Sequence, residues 1–213
     1  MPIEPTKLHV YGFNRFCLEE WVKENIKDYH ILRLPALYGK NLKKNFIYDL
    51  IHHAPGMLAE DLVPYIPTNI INYYEVYDEN YRIRKNLNIE DENKLEKFFQ
   101  KSKFNSLQFT DSRAIYQFYN LDNLYKDLLN TIQNNIRLIN LVTEPITASE
   151  LYSYIFGADF TNTLGSNYIQ YRLQTKFSNF WGKATGYIRT RNIILEDIKK
   201  FIYQNNSFRL RLK

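Results

Sequence analysis

Apolar positions recur at helical spacing over residues 11–27, where Tyr11, Arg15, Leu18 and Val22 share one face with Phe13, Cys17 and Trp21 beside it. A short apolar run at residues 30–34, closed by Pro35 and Gly39, predicts a buried strand. Helical spacing returns over residues 42–53, with Phe46, Ile47, Leu50 and Ile51 as the stripe and Ala54-Pro55-Gly56 as the stop. Residues 57–107 are less regular. Pro64 and Pro67 interrupt any long element early in this segment, and residues 70–76 predict a strand. Residues 88–103 predict an exposed helix, with Leu95, Phe98 and Phe99 turned inward and Glu90 one turn before Lys94. Too few of these residues are apolar to make a core alone, so the segment is expected to elaborate a larger core.

The remaining pattern alternates between the two periods. Residues 114–119 predict a strand, and Leu121, Leu124, Tyr125, Leu128, Leu129 and Ile132 form a helical stripe that Asn120 or Asp122 would cap. A second apolar run covers residues 137–142. Thr147-Ala148-Ser149-Glu150 has capping-box spacing and opens a helix reaching Phe156, and a last helix is expected over residues 193–204. Strand and helix alternation without internal repeats predicts an α/β fold, with residues 1–213 as one unit.

Composition narrows the classes. At 213 residues and 45% apolar content the chain buries a real core, and 16% aromatic residues favour order over disorder. The net charge of +5 is spread along the sequence rather than gathered on one stripe, so no nucleic acid is expected as a partner. No apolar run approaches the roughly 20 residues that cross a bilayer, so no membrane is expected either. The single cysteine, Cys17, excludes an internal disulfide and a multi-cysteine metal site. It suits a reducing compartment, and a cytoplasmic protein with no metal is expected. His52 and His53 are adjacent and lack a third ligand at metal-like spacing.

The candidate chemistry begins at Tyr11. A tyrosine hydroxyl titrates near 10 unless a neighbour favours the phenolate, and a cation one helical turn away on the same face does so. Arg15 holds that position. The same pair also fits an ordinary amphipathic helix with a surface arginine.

Tyr11-Gly12 with Arg15, then Arg33-Leu34-Pro35 and Tyr38-Gly39, resemble the middle of an extended short-chain dehydrogenase/reductase, the family of NAD-dependent epimerases and dehydratases. There a Tyr-x-x-x-Lys helix precedes an Arg-Pro strand that runs into a Tyr-Gly turn. Further on, residues 116–122 resemble the segment written Arg-Asp-Phe-x-x-Val-x-Asp, with Asp122 as its helix-capping carboxylate. Residues 137–141 resemble the family's Tyr-Asn-Leu strand, and Thr147 to Glu150 the helix opening after it.

The resemblance implies a partial Rossmann-type fold with a substrate-binding lobe, NAD or NADP as cofactor, and an oxidoreductase or isomerase acting on a nucleotide sugar or related substrate. It makes Tyr11 the proton shuttle and Arg15 the charge that tunes it, both also meeting the cofactor. Pro35 and Leu37 would wall the nicotinamide. Asn45 would face the sugar nucleotide, and Lys43, Lys44 and Arg113 would meet its diphosphate, although two lysines before a helix also read as solvated side chains.

Three features depart from the family. The seven glycines are scattered and form no G-x-x-G-x-x-G or G-x-G-x-x-G loop, the upstream Ser or Thr is missing, and arginine replaces lysine. The expected activity therefore needs a nucleotide-binding half that this sequence lacks. A homodimer or that missing N-terminal half is the expected partner. The competing expectation is a non-catalytic remnant or partner-binding module.

Overall fold

Short runs of β-branched and aromatic residues separated by proline and glycine make short strands, and the computed structural model, which describes residues 4–43 and 45–210, pairs them into four small sheets. Helix α1 (Val10–Asn25) leads into β1 (Ile31–Arg33), and Pro35 separates that strand from β2 (Ala36–Tyr38). The next elements are α2 (Phe46–Ile51), β3 (Met57–Ala59), α3 (Thr68–Ile71), β4 (Tyr74–Val76), β5 (Tyr81–Arg84) and α4 (Ile89–Gln100). The chain continues with β6 (Ile115–Tyr116), β7 (Phe118–Asn120), α5 (Leu124–Gln133), β8 (Leu138–Asn140), β9 (Ile146–Thr147), α6 (Ala148–Phe156) and α7 (Arg191–Leu210). The protein is mixed α/β, with parallel and antiparallel pairs.

The two parallel pairs organise the molecule. β1 lies beside β8, with Leu32 opposite Ile139, and β2 lies beside β7, with Leu37 opposite Tyr119. Side chains alternate across a strand, and both faces here are covered. Ala36, Tyr38 and Phe118 point into a cluster built with Phe46, Ile47 and Leu50 of α2, Leu151 of α6 and Ile198 of α7. Leu37 and Tyr119 point the other way, toward Ile139, Leu141 and Ile188. Gly39 follows β2 and lies against Leu121, where an added Cβ would approach to 3.2 Å. That is tighter than most packing contacts, so a larger residue here would have to push Leu121 aside.

Residues 57–107 build a cluster of their own from Leu58, Ile66, Ile70, Tyr74, Leu95 and Phe99, beneath the antiparallel sheet β3-β5-β4. They join the rest of the molecule at the end of α2. There the Ser106 amide donates to the His53 carbonyl (2.9 Å), and Glu96 accepts from the backbone N–H of His53 (2.7 Å) and Ala54 (3.3 Å).

Several elements differ from the sequence expectation. The strand predicted over residues 70–76 is a helical turn, α3, followed by β4, because Pro67 starts a turn that collects the amides of Ile70 and Ile71. The strand over residues 114–119 splits at Gln117, whose buried side-chain amide donates to the carbonyls of Thr143 and Leu173. Asn120, not Asp122, does the capping, and it caps the 3-10 turn Leu121–Asn123 that leads into α5: its side-chain oxygen accepts from the Asp122 amide (3.0 Å). α2 covers only half of the predicted residues 42–53, and α7 runs beyond 193–204. Cys17, placed by its spacing on an apolar face, is exposed.

α5 departs most. Of its apolar stripe Leu124 packs against the cluster around Tyr119, whereas Tyr125, Leu129 and Ile132 are exposed, Tyr125 to 73%. Its buried residues are Asp127 and Thr131. Asp127 accepts from the Tyr119 hydroxyl (2.7 Å), the Trp181 indole (2.8 Å) and the Arg189 guanidinium (2.8 Å), so the helix is anchored by a charge-assisted network.

Candidate functional site

A cleft of about 380 Å³ opens where the chain leaves β2. Its near wall is the loop from Gly39 to Lys43, which turns through Asn41 in the left-handed region (φ 67°). Asn45 starts the next wall. Its side-chain oxygen accepts from the Tyr48 amide (2.8 Å), capping α2, while its amide group donates to the Leu37 carbonyl (2.8 Å) and ties the helix to the strand. One turn further, the Tyr48 and His52 rings stack with centroids 4.1 Å apart, as i, i+4 neighbours on one helix face do. Arg84 from β5 and Glu92 from α4 reach in from the inserted segment, and Phe201 and Asn205 of α7 complete the lining.

The floor is rigid. Tyr38 is 1% exposed and donates to Asp197 on α7 (2.7 Å), which also accepts from the Asn120 amide group (3.0 Å). Burial, and then the Asp197 carboxylate, push the Tyr38 hydroxyl well above its ordinary range, so it serves as a fixed donor rather than an acid. Phe201 packs edge-on against the Tyr38 ring.

The charge balance of the cleft is positive. Lys40, Lys43 and Arg84 line it against a single carboxylate, Glu92. Behind the wall, Glu96 lies 3.6 Å from His52 Nδ1 and 4.0 Å from Arg84 Nη1. Asp49, one turn into α2, is half-buried, and burial pushes its carboxyl up to about 7. Among the described residues no group of three or more His, Cys, Asp or Glu is placed to hold a metal ion, and no helix is long and apolar enough to cross a membrane.

The residues singled out from sequence do not gather in one place. Asn45 lines the cleft, and Lys44, between two lining residues, lies outside the described residues. Tyr11 and Arg15 lie on α1, away from the cleft lining; Tyr11 is 67% exposed, and the Arg15 guanidinium sits over its ring, 5.3 Å from the centroid. Pro35 occupies the break between β1 and β2, and Leu37 packs into the cluster around Tyr119. Arg113 is committed elsewhere: it grips Asp111 with two hydrogen bonds (2.9 and 2.7 Å), donates to the Gly165 carbonyl and covers the Tyr168 ring. That grip, with the amides of Leu164 and Arg113, holds the Asp111 carboxyl well below the usual carboxylate range.

Sequence reasoning missed Arg84, Lys40 and the Tyr48–His52 pair. Arg84 carries no local signal, since Arg82 and Arg84 look alike on one strand and only the tertiary partners separate them. Tyr48 and His52 stood at i, i+4, a spacing that does mark a shared helix face. No protein-family profile, curated protein or solved structure matches the chain.

Proposed function

We propose that the chain is the substrate-binding half of an extended short-chain dehydrogenase/reductase-like protein, of partial Rossmann type, that works with NAD or NADP on a nucleotide sugar or a related substrate. The observation carrying this reading is the parallel pairing of β1 with β8 and of β2 with β7. It joins in space the segments whose sequences resemble that family, and the cleft opens directly after Tyr38-Gly39, where the resemblance expects the substrate lobe to begin. The cleft suits such a ligand. Three cations meet a diphosphate, the Tyr48–His52 ring pair offers a stacking face, and the Tyr38 floor excludes water beneath it.

In this reading Tyr11 is the proton carrier and Arg15 its tuning charge, and the cofactor comes with a nucleotide-binding half that packs on the α1 side. Pro35 and Leu37 back the nicotinamide, and the redox step belongs to the assembled protein. Calorimetric titration of the chain with UDP-glucose, NAD and NADP tests the proposal. Saturable binding of UDP-glucose, lost in an Asn45→Ala variant that still folds, supports it; no response to any of the three overturns it.

A second reading has its own support. Arg15 lies over the Tyr11 ring, 5.3 Å from its centroid, a cation–π arrangement that an ordinary surface helix also forms. A module that binds its ligand or a partner without turnover needs no more than this. Saturable UDP-glucose binding with no turnover, even when a dinucleotide-binding half is supplied, favours that reading.

A further inference from the structure

Most arginines resolved against acids in this protein are fully engaged. Arg33 donates to Glu19 (2.8 and 2.5 Å), Arg82 to Glu60 (2.8 and 2.7 Å) and Arg113 to Asp111, while Arg189 donates through Nη2 to Asp127 and keeps a buried Nη1 with no partner among the described residues. Arg84 differs. It closes β5 with its amide on the Gly56 carbonyl, its side chain is only 18% exposed, and it lines the cleft. Its guanidinium makes no hydrogen bond to any described residue, and its nearest acid, Glu96, stands at 4.0 Å, beyond hydrogen-bond reach. Its donors are not sealed from water, so they stand open to an acceptor arriving in the cavity.

We infer that Arg84, supplied by the inserted segment, binds a phosphoryl oxyanion in the cleft together with Lys40 and Lys43. The guanidinium fork suits two oxygens of one phosphate, and the two lysines on the opposite loop add charge without demanding geometry. Glu96 sets the aim of the fork from behind, because the same carboxylate is held by the His53 and Ala54 amides at the end of α2. The inserted segment is thereby part of ligand recognition rather than a surface decoration. The inference rests on the cleft being the ligand site of the function proposed above, but requires only the phosphoryl group of that ligand.

The test titrates the whole chain with inorganic pyrophosphate, glucose 1-phosphate and UDP-glucose, in the wild type and in Arg84→Gln, Arg84→Lys and Arg82→Gln variants, each checked for cooperative unfolding. Saturable pyrophosphate binding that weakens about tenfold or more in Arg84→Gln, and less in Arg84→Lys, is expected. Arg82, two residues away on the same strand and paired with Glu60, controls for damage to the sheet, and its variant should bind within about twofold of wild type. Tighter binding of UDP-glucose than of glucose 1-phosphate identifies a nucleotide source of the phosphoryl group, and the reverse order a free sugar phosphate. UDP-glucose binding that Arg84→Gln leaves unchanged overturns the inference and spares the proposed function. Arg84-dependent pyrophosphate binding without any UDP-glucose binding does the opposite. No binding of any of the three overturns both. Should Arg84→Gln fail to fold, Arg84→Lys decides: a weakened complex supports the inference, and an unchanged one overturns it.

Discussion

Helices α1 and α2 start from similar sequence and end in opposite environments. Both carry apolar residues at helical spacing, and both are capped at the N-terminus by a side chain that accepts a backbone amide, His9 for α1 and Asn45 for α2. Four of the six residues of α2 are buried, pressed between β2, α6 and α7. None of the 16 residues of α1 is buried, and Trp21 is 54% exposed. α1 is held to the sheet through Glu19, which accepts twice from Arg33 Nε and once from its Nη2 (2.5 Å). Periodicity therefore reports which residues share a face. Whether anything covers that face depends on chain segments far away in sequence.

The contrast predicts unequal costs. Leu50→Ala removes a fully buried side chain of α2 and should cost about 2–5 kcal/mol, read from denaturant unfolding. A loss below about 1 kcal/mol would mean that the cluster around α2 is looser than its burial shows.

Asp49 comes next and carries a pH signature. Its folded carboxyl titrates near 7 and its unfolded one near 3.8, so between these values the folded state holds a proton that the unfolded state has released. Stability from this group is therefore highest at acid pH and falls as pH rises from about 4 to about 7, by about 1–4 kcal/mol. Asp49→Asn keeps the shape and removes the charge, so it should stabilise the protein at pH 8 and change little at pH 4. Equal effects at both pH values would contradict the burial of Asp49.

The smallest effect is expected on α1. Leu18→Ala should change stability by less than about 0.5 kcal/mol, because the side chain already meets water. A loss as large as that of Leu50→Ala, growing with protein concentration, would show instead that another copy of the chain covers α1 in solution.

Much of the local structure was legible. Asn88 caps α4 as the start of the predicted 88–103 helix, and Glu90 and Lys94 pair at 2.9 Å. Thr147 accepts from the Glu150 amide as a capping box requires, and Gly157 ends α6 in the left-handed conformation. The candidate site was legible only in part. Asn45 was found because a resemblance pointed at the residues after Tyr38-Gly39. Arg84 was hidden because its importance is the absence of a hydrogen-bonding acid, which no spacing along the chain records. α5 misled because Tyr125, Leu129 and Ile132 have the spacing of a core stripe, whereas Asp127 is the residue that finds buried partners.

The sequence alone determined where most helices begin, which residues share their faces, and that strands and helices alternate, because caps, turns and periodicity act within a few residues. Only the tertiary structure decided that β1 lies beside β8 and β2 beside β7, that α2 is buried while α1 is not, and that Arg84 meets Lys40 and Lys43 across one cleft. Those outcomes join residues tens of positions apart, and their energies come from burial and charge between segments that have no short-range means of specifying one another.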